Sequence, residues 1–293
     1  MLSLAILFQK VMRIALWQSP KPIRCFLWRY SRVLDKLPMY GELITYYDDS
    51  ILIMCNLKNF IEKQLFFQGM QRGDLGVYFY IKKNLTKEKV FLDIGAAIGT
   101  FSLVAAKLAK KVIAFEPLSF HYNRLLQNIE LNKFDNIDAY QFALGDSCRD
   151  VEICIPDSVN TGMSHIVSKR SENNLMKSNI QSIKMITLDY FVKKYNVDRI
   201  DLIKMDVEGF ELNILEGADK TIRKFRPEII MEVNPSHLNR FGKKLENLFS
   251  FVYDYEYEMF LLQHDCKTYK LLPVNSTDKL FGHQNVLLKP YNQ

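Results

Sequence analysis

Residues 90–117 read VFLDIGAAIGTFSLVAAKLAKKVIAFEP, and this stretch decides the fold. A short apolar run, Val90 to Ile94, carries Asp93 near its end and breaks into a turn holding Gly95 and Gly99. Phe101, Val104, Ala105 and Leu108 then recur at helical spacing, and a second apolar run, Val112 to Phe115, ends in Glu116. Strand, glycine turn, helix, strand and acid in that order define a βαβ unit. Its glycines let the backbone turn sharply beside a ligand, and an acid closing the second strand can accept both hydroxyls of a ribose.

The spacing separates two kinds of nucleotide site. A dinucleotide fingerprint would read G-x-G-x-x-G and seat a pyrophosphate on the helix amides. Here Ala97 stands where the middle glycine belongs, and Asp93 precedes the turn, where it would repel a phosphate. A ligand that is cationic and carries no phosphate tolerates that acid. S-adenosylmethionine (SAM), a sulfonium bearing a ribose and an amino acid, fits the description.

Working outward, Tyr122, Leu125, Leu126 and Ile129 mark a helix around 120–132, and Ile137 to Leu144 reads as a third strand ending at Gly145-Asp146. Ligands of such sheets sit beyond the carboxyl ends of the strands, so Asp146 reads either as a contact to an adenine amino group or as a simple turn aspartate. Val151 to Ile155 suggests an extra strand. Residues 157–184 are polar and aperiodic, as in a lid, and contain Thr161 to His165, with His165 a candidate base. A further constellation, IDLIKMDVEGFELNILEGA, spans Ile200 to Ala218. Its strand ends in Asp206, followed at once by Glu208 and, on a helix, Glu211; Lys204 within the strand demands a carboxylate partner. Glu228 to Val233 forms the fifth strand and brings Glu232 to the same sheet edge. A helix over about 238–249, a strand near 259–263 and a closing antiparallel strand, Asn285 to Leu288, complete the sheet.

These motifs resemble the FkbM family of SAM-dependent methyltransferases. The resemblance rests on VFLDIGAAIGTFSL, AFEP, FALGD, DLIKMDVEGFELNILEGA and PEIIMEVNP, in family order, over roughly residues 60–235. It implies a class I Rossmann-like α/β fold with a mostly parallel seven-stranded sheet and helices on both faces. It also implies O-methylation, typically of a sugar hydroxyl in a glycan, glycolipid or natural product. Carried over by position, Asp93, Gly95 and Gly99 contact the methionine part of SAM, Glu116 the ribose, and the end of the third strand, with Asp146, the adenine. Ala97, Pro117, Ala143 and Asp206 complete the expected cofactor contacts. The family commonly has Asn where this chain has Ala97. From chemistry, Asp206 is the candidate base, with Glu208 or Glu232 orienting the acceptor.

The whole-chain numbers suit one large α/β domain with an N-terminal extension: 293 residues, 48% hydrophobic and 25% charged. We divide it into a basic helical arm and hairpin over 1–75 and a methyltransferase domain over 76–293. The hairpin is read from Leu43 to Tyr47 and Ile51 to Cys55, followed by a helix over about 57–67. The net charge of +6 is entirely in the arm: residues 1–40 hold seven basic residues against Asp35, and the rest is balanced with 32 of each sign. The arm's first sixteen residues are too short and too interrupted to span a bilayer, and they lack a signal peptide's charged start and cleavage site. Two readings of it stand: an in-plane helix on the inner membrane face, or a helix packed on its own domain or a second subunit. No nucleic-acid motif is present. The alternative to an enzyme is a catalytically idle nucleotide-binding scaffold docked through the arm. Five scattered cysteines without a C-x-x-C pair indicate a reducing, cytoplasmic setting without disulfides. The clustered carboxylates could alternatively hold Mg²⁺ or Ca²⁺ and so lower the hydroxyl's pKa, but without a histidine or a tighter D-x-D spacing no metal site is assigned.

Overall fold

The computed structural model describes residues 9–15, 40–48, 50–70, 72–156, 165–166, 178–265 and 267–291. In chain order these form strands β1 (Glu42–Tyr47) and β2 (Ile51–Asn56), helices α1 (Phe60–Gln68) and α2 (Leu75–Asn84), β3 (Val90–Ile94), α3 (Thr100–Leu108), β4 (Lys111–Phe115), α4 (Ser119–Asn132), β5 (Ile137–Tyr140) and β6 (Ala143–Leu144). Then follow β7 (Arg149–Pro156), β8 (His165–Ile166), β9 (Ser178–Ile186), α5 (Leu188–Lys194), β10 (Leu202–Met205), α6 (Glu211–Glu216), α7 (Asp219–Phe225) and β11 (Glu228–Val233). The chain closes with α8 (Pro235–Arg240), α9 (Leu245–Asp254), β12 (Tyr257–His264), β13 (Tyr269–Pro273) and β14 (Gln284–Pro290).

The main sheet runs β13-β12-β14-β11-β10-β3-β4-β5. The five strands from β11 to β5 are parallel, and β14, β12 and β13 are antiparallel to their neighbours. The expected α/β architecture is present, with eight strands rather than seven. Strand β14 lies inside the sheet between β11 and β12, and β13 occupies the edge. The uninterrupted burial of β3 is what a central parallel strand covered on both faces requires.

Side-chain alternation splits the interior into two cores. Val90, Leu92 and Ile94 of β3, with Ile203 and Met205 of β10 and Ile229, Met231 and Val233 of β11, face one core. Phe91, Leu202 and Ile230 face the other, together with Tyr47, Ile51, Ile53, Phe66 and Tyr80 from the segment before β3. By the same period of two, Asp93, Lys204 and Glu232 share the face covered by that segment. The boundary expected at residue 75 therefore falls at the start of α2, between elements of one shared core. Of the basic arm, residues 9–15 are helical; Arg13 donates to the carbonyls of Leu65 (2.6 Å) and Phe66 (2.7 Å) at the end of α1, and Gln9 bonds Thr45. Those residues pack on their own domain. The membrane reading concerns the helix from Leu2 to Trp17 with Trp28 and the downstream arginines, and apart from residues 9–15 these lie outside the described residues. No helix of the described residues is long and apolar enough to cross a membrane.

Four expectations about elements change. The third strand is two, β5 in the main sheet and β6 in a smaller sheet of order β6-β9-β7-β8, because the chain leaves the ladder at Gln141-Phe142. Residues 178–184, read as loop, belong to β9, which pairs with β7 from Ser178 to Met185 and buries Ile183 and Met185. Gly242, at φ +72, divides the helix expected over 238–249 into α8 and α9. The segment 69–76, read as irregular, ends in a 3-10 turn, Arg72–Asp74, that runs into α2.

Candidate active site

The glycine turn is fixed by its neighbours. The amides of Gly95 and Ala96 both donate to the Phe115 carbonyl at 3.0 Å, tying the end of β3 to the end of β4. Gly95 has φ +78, and a Cβ there would lie 2.1 Å from the backbone oxygen of Asp206. Only glycine lets the ends of β3 and β10 abut, and that contact sets Asp206 beside the turn. The Ala97 amide donates to Glu116 Oε2 (2.8 Å) and the Leu118 amide to Oε1 (2.9 Å). Each carboxylate oxygen is thus oriented while keeping a lone pair for a ligand.

Gly95, Ala97, Glu116, Pro117, Ala143, Asp206, Glu208 and Glu232 all line one cavity of about 270 Å³ at the carboxyl ends of the parallel strands. Phe142, Leu144 and Phe210 supply apolar wall, and Asn59, Glu62, Met70 and Asp74 close it from the N-terminal segment. Among the described residues on this wall, six carboxylates (Glu62, Asp74, Glu116, Asp206, Glu208 and Glu232) face one lysine, Lys204. A wall of that sign selects for a cation and against a phosphate.

Lys204 is the hub of the negative cluster. Its Nζ lies 3.3 Å from Asp206 Oδ2, 4.0 Å from Asp93 Oδ1 and 4.8 Å from the centre of the Phe101 ring. Burial pulls its pKa down, but Asp206, Asp93 and Asp74 outweigh burial and hold it above the usual lysine value. The acids respond in the opposite sense. Burial, with repulsion from Asp206, pushes Asp74 up to about 7. Burial and the charges of Asp206, Glu232 and Glu211 push Glu208 up to about 8. Burial and Asp206 likewise raise Glu232, against the pull of His283. Glu211 accepts from the amides of Val207 (3.1 Å) and Gly209 (3.3 Å), fixing the turn that follows β10.

Three expected cofactor contacts are not on the cavity wall. Asp93 is fully buried behind the turn, where Ser102 Oγ donates to it at 2.6 Å; it acts through Ser102 and Lys204. Gly99, at φ +95, starts α3 and is packed under Leu125. Asp146 is engaged by Arg149 (2.6 Å), Ser147 (2.8 Å) and Asn213 (3.2 Å), which makes it an anchor for the turn between β6 and β7. His165 lies on β8 opposite Cys154, and its side chain is outside the described residues, as are Thr161 to Ser164. Sequence reasoning missed Asp74, His121, His237 and His283. His121 Nδ1 lies 3.8 Å from Glu116 Oε1, His237 Nδ1 lies 3.1 Å from Glu208 Oε2, and His283 Nδ1 lies 2.8 Å from Glu232 Oε1. Only the last strand's antiparallel register, Glu232 opposite Asn285, brings His283 to this place.

A parallel sheet of this order, a glycine turn after its first strand and an acid closing the next place the protein among Rossmann-like α/β domains with the class I methyltransferase architecture. More particularly, the chain belongs to the methyltransferase FkbM domain family, whose model matches residues 93–259, more than half of its length. It is similar to methyltransferase sdnD of Sordaria araneosa, 27% identical over 175 residues, covering 51% of this chain and 68% of that protein. It is also similar to the hexuronic acid methyltransferase AglP of Haloferax volcanii, 26% identical over 163 residues, covering 56% and 63%. Among solved structures, the FkbM methyltransferase of Methylobacillus flagellatus superposes with a TM-score of 0.45 at 16% identity, over 70% of this chain and 44% of that one. The matches thus span about two thirds of the two relatives' length and under half of the solved protein's.

Proposed function

We propose that the protein is a SAM-dependent O-methyltransferase acting on a hydroxyl, most favourably that of an uncharged sugar or polyol. The observation that carries this reading is the convergence of the glycine turn, the clamped Glu116 carboxylate and Asp206 on one acid-lined cavity. The residues present fit SAM. Glu116 offers oriented acceptors for a ribose diol, Phe142 and Ala143 offer an apolar wall for a base, and the carboxylate excess favours a sulfonium and an ammonium.

When bound, SAM supplies an electrophilic methyl group on a positively charged sulfur. An acceptor hydroxyl receiving that methyl group would have to give up its proton to a base on this wall. Asp206 is our candidate for that proton: it directly follows β10 beside Gly95, its side chain is about 40% exposed and it lines the cavity, while Lys204 steadies one of its oxygens. A positioned carboxylate in this role contributes about 10²- to 10⁴-fold. Glu208 and Glu232 lie on the same wall and orient the acceptor. Kinship with a hexuronic acid methyltransferase supports a sugar, whereas the acidic wall disfavours an acceptor that is itself an anion.

The test is incubation with labelled SAM and a panel of neutral and acidic glycans, read by mass for one added methyl. Wild-type protein should methylate a neutral member, and Asp206→Asn should keep SAM affinity while losing at least 100-fold in turnover. Full turnover in Asp206→Asn would remove that residue from the chemistry.

A further inference from the structure

In the sequence only His237, five positions past Glu232, lies near the clustered carboxylates, and the chain alone does not show that it turns back over them. The fold supplies two histidines. Glu232 sits near the carboxyl end of β11, and Asn234 then caps α8 by accepting from the Ser236 amide (3.1 Å) and hydroxyl (2.7 Å). That cap aims the first turn of α8, and with it His237, back over the strand end. Strand β14 runs antiparallel to β11, so its beginning meets the end of β11 and delivers His283.

We propose that Glu232, His237 and His283 form a binding site for one divalent transition-metal ion at the edge of the cavity. One ligand atom from each residue lies within 4.8 Å of the others. Ligands at about 2.0–2.2 Å in a tetrahedral array stand about 3.3–3.6 Å apart, so side-chain movements of about 1 Å close the set. One outer contact has the pattern that orients a metal-bound imidazole: Glu208 Oε2 lies 3.1 Å from Nδ1 of His237 and can accept that N–H when Nε2 holds the ion. Asn234 Nδ2, 3.0 Å from Nε2 of His283, is a donor, so His283 gives up that contact when its Nδ1 takes the ion. In the cation-free arrangement His283 Nδ1 and Glu232 Oε1 are hydrogen-bonded at 2.8 Å, so the two ligand atoms already face each other. The wall supplies an independent reason: its six carboxylates are opposed by a single lysine. Two imidazoles with a carboxylate favour Mn²⁺, Fe²⁺, Co²⁺ or Zn²⁺ over Mg²⁺ and Ca²⁺, which prefer oxygen throughout. Since Glu232 lines the cavity, the ion would polarise the acceptor hydroxyl; that role rests on the methyl-transfer reading, whereas ion binding does not.

The experiment uses the tag-free full chain, stripped with chelator and titrated calorimetrically with Mn²⁺, Zn²⁺ and Mg²⁺, with bound metal counted by mass spectrometry. One Mn²⁺ or Zn²⁺ per chain is expected. Glu232→Gln and His283→Ala should each weaken it at least tenfold, and His264→Ala, away from the cluster, should not change it. His283 is 61% exposed, so its alanine variant should keep the fold and its SAM affinity, checked by circular dichroism and SAM titration. No stoichiometric ion, wild-type affinity in His283→Ala, or a preference for Mg²⁺ would each overturn the proposal. A protein that binds SAM but takes up no Mn²⁺ or Zn²⁺ would overturn the metal site and leave the methyl-transfer reading standing.

Discussion

Replacing Lys204 with Met tests the electrostatic logic of the site at its centre. Lys204 is 5% exposed and Asp93 is fully buried, and their strands place the two residues side by side as register partners. At 3.3 Å and 4.0 Å, with an effective dielectric constant of about 20, attraction to Asp206 and Asp93 amounts to roughly 4–5 kcal/mol each before desolvation. Asp206 is about 40% exposed and screened by water, so its share is small. The decisive loss falls on Asp93, which would keep Ser102 as a hydrogen-bond donor but no cation. Removing one partner of a buried pair costs about 3–5 kcal/mol, and Lys204→Met should lower stability by that amount in urea unfolding at pH 8. Burial already raises Asp93 against the pull of Lys204, and without the lysine its folded pKa climbs further above its unfolded value. An acid with a raised folded pKa penalises the native state increasingly as pH rises above the unfolded value. The deficit should therefore shrink as pH falls from 8 toward 5. Asp93→Asn in the Lys204→Met background should recover at least half of it. A loss under 1 kcal/mol, or a double variant no better than the single one, would refute the reasoning.

Further expectations concern the same wall. With its folded pKa near 7, well above the unfolded carboxylate value, Asp74 costs stability above about pH 4 and most fully above pH 7; Asp74→Asn in chelator should raise stability by roughly 1–3 kcal/mol at pH 8 and by little at pH 4.5, read by denaturant midpoints. Ala97 stands at φ +48, so Ala97→Gly should add about 1 kcal/mol without disturbing the turn, measured by the same unfolding curves. Gly95→Ala should do the reverse, because its methyl would meet the Asp206 carbonyl at 2.1 Å; a loss above about 2 kcal/mol together with abolished SAM binding is expected, and a variant of wild-type stability would contradict the abutment of β3 and β10.

The βαβ unit was legible because its signals are local: the buried runs, the glycines and the closing acid lie within 28 residues. The same holds for Asp206, Glu208 and Glu232, each at or just past a strand end, and for the need of Lys204 for a carboxylate. What the sequence concealed depends on distant pairing. His283 reaches Glu232 across 51 positions through an antiparallel register, and Asp74 reaches the cavity because the N-terminal segment folds over the Asp93–Lys204 face. Asp146 admits two readings in the sequence, which does not show that Arg149, three residues on, engages it in the turn at 2.6 Å. The break between β5 and β6 has no glycine or proline to announce it; it follows from β6 finding a better partner in β9.

The account stands most directly on titration of SAM into the purified protein by calorimetry. We expect one SAM per chain, comparable binding of S-adenosylhomocysteine, no heat with NAD, and at least tenfold weaker SAM binding in Glu116→Gln, whose clamped carboxylate would become a neutral amide. Heat with NAD but none with SAM, or unchanged SAM affinity in Glu116→Gln, would contradict it.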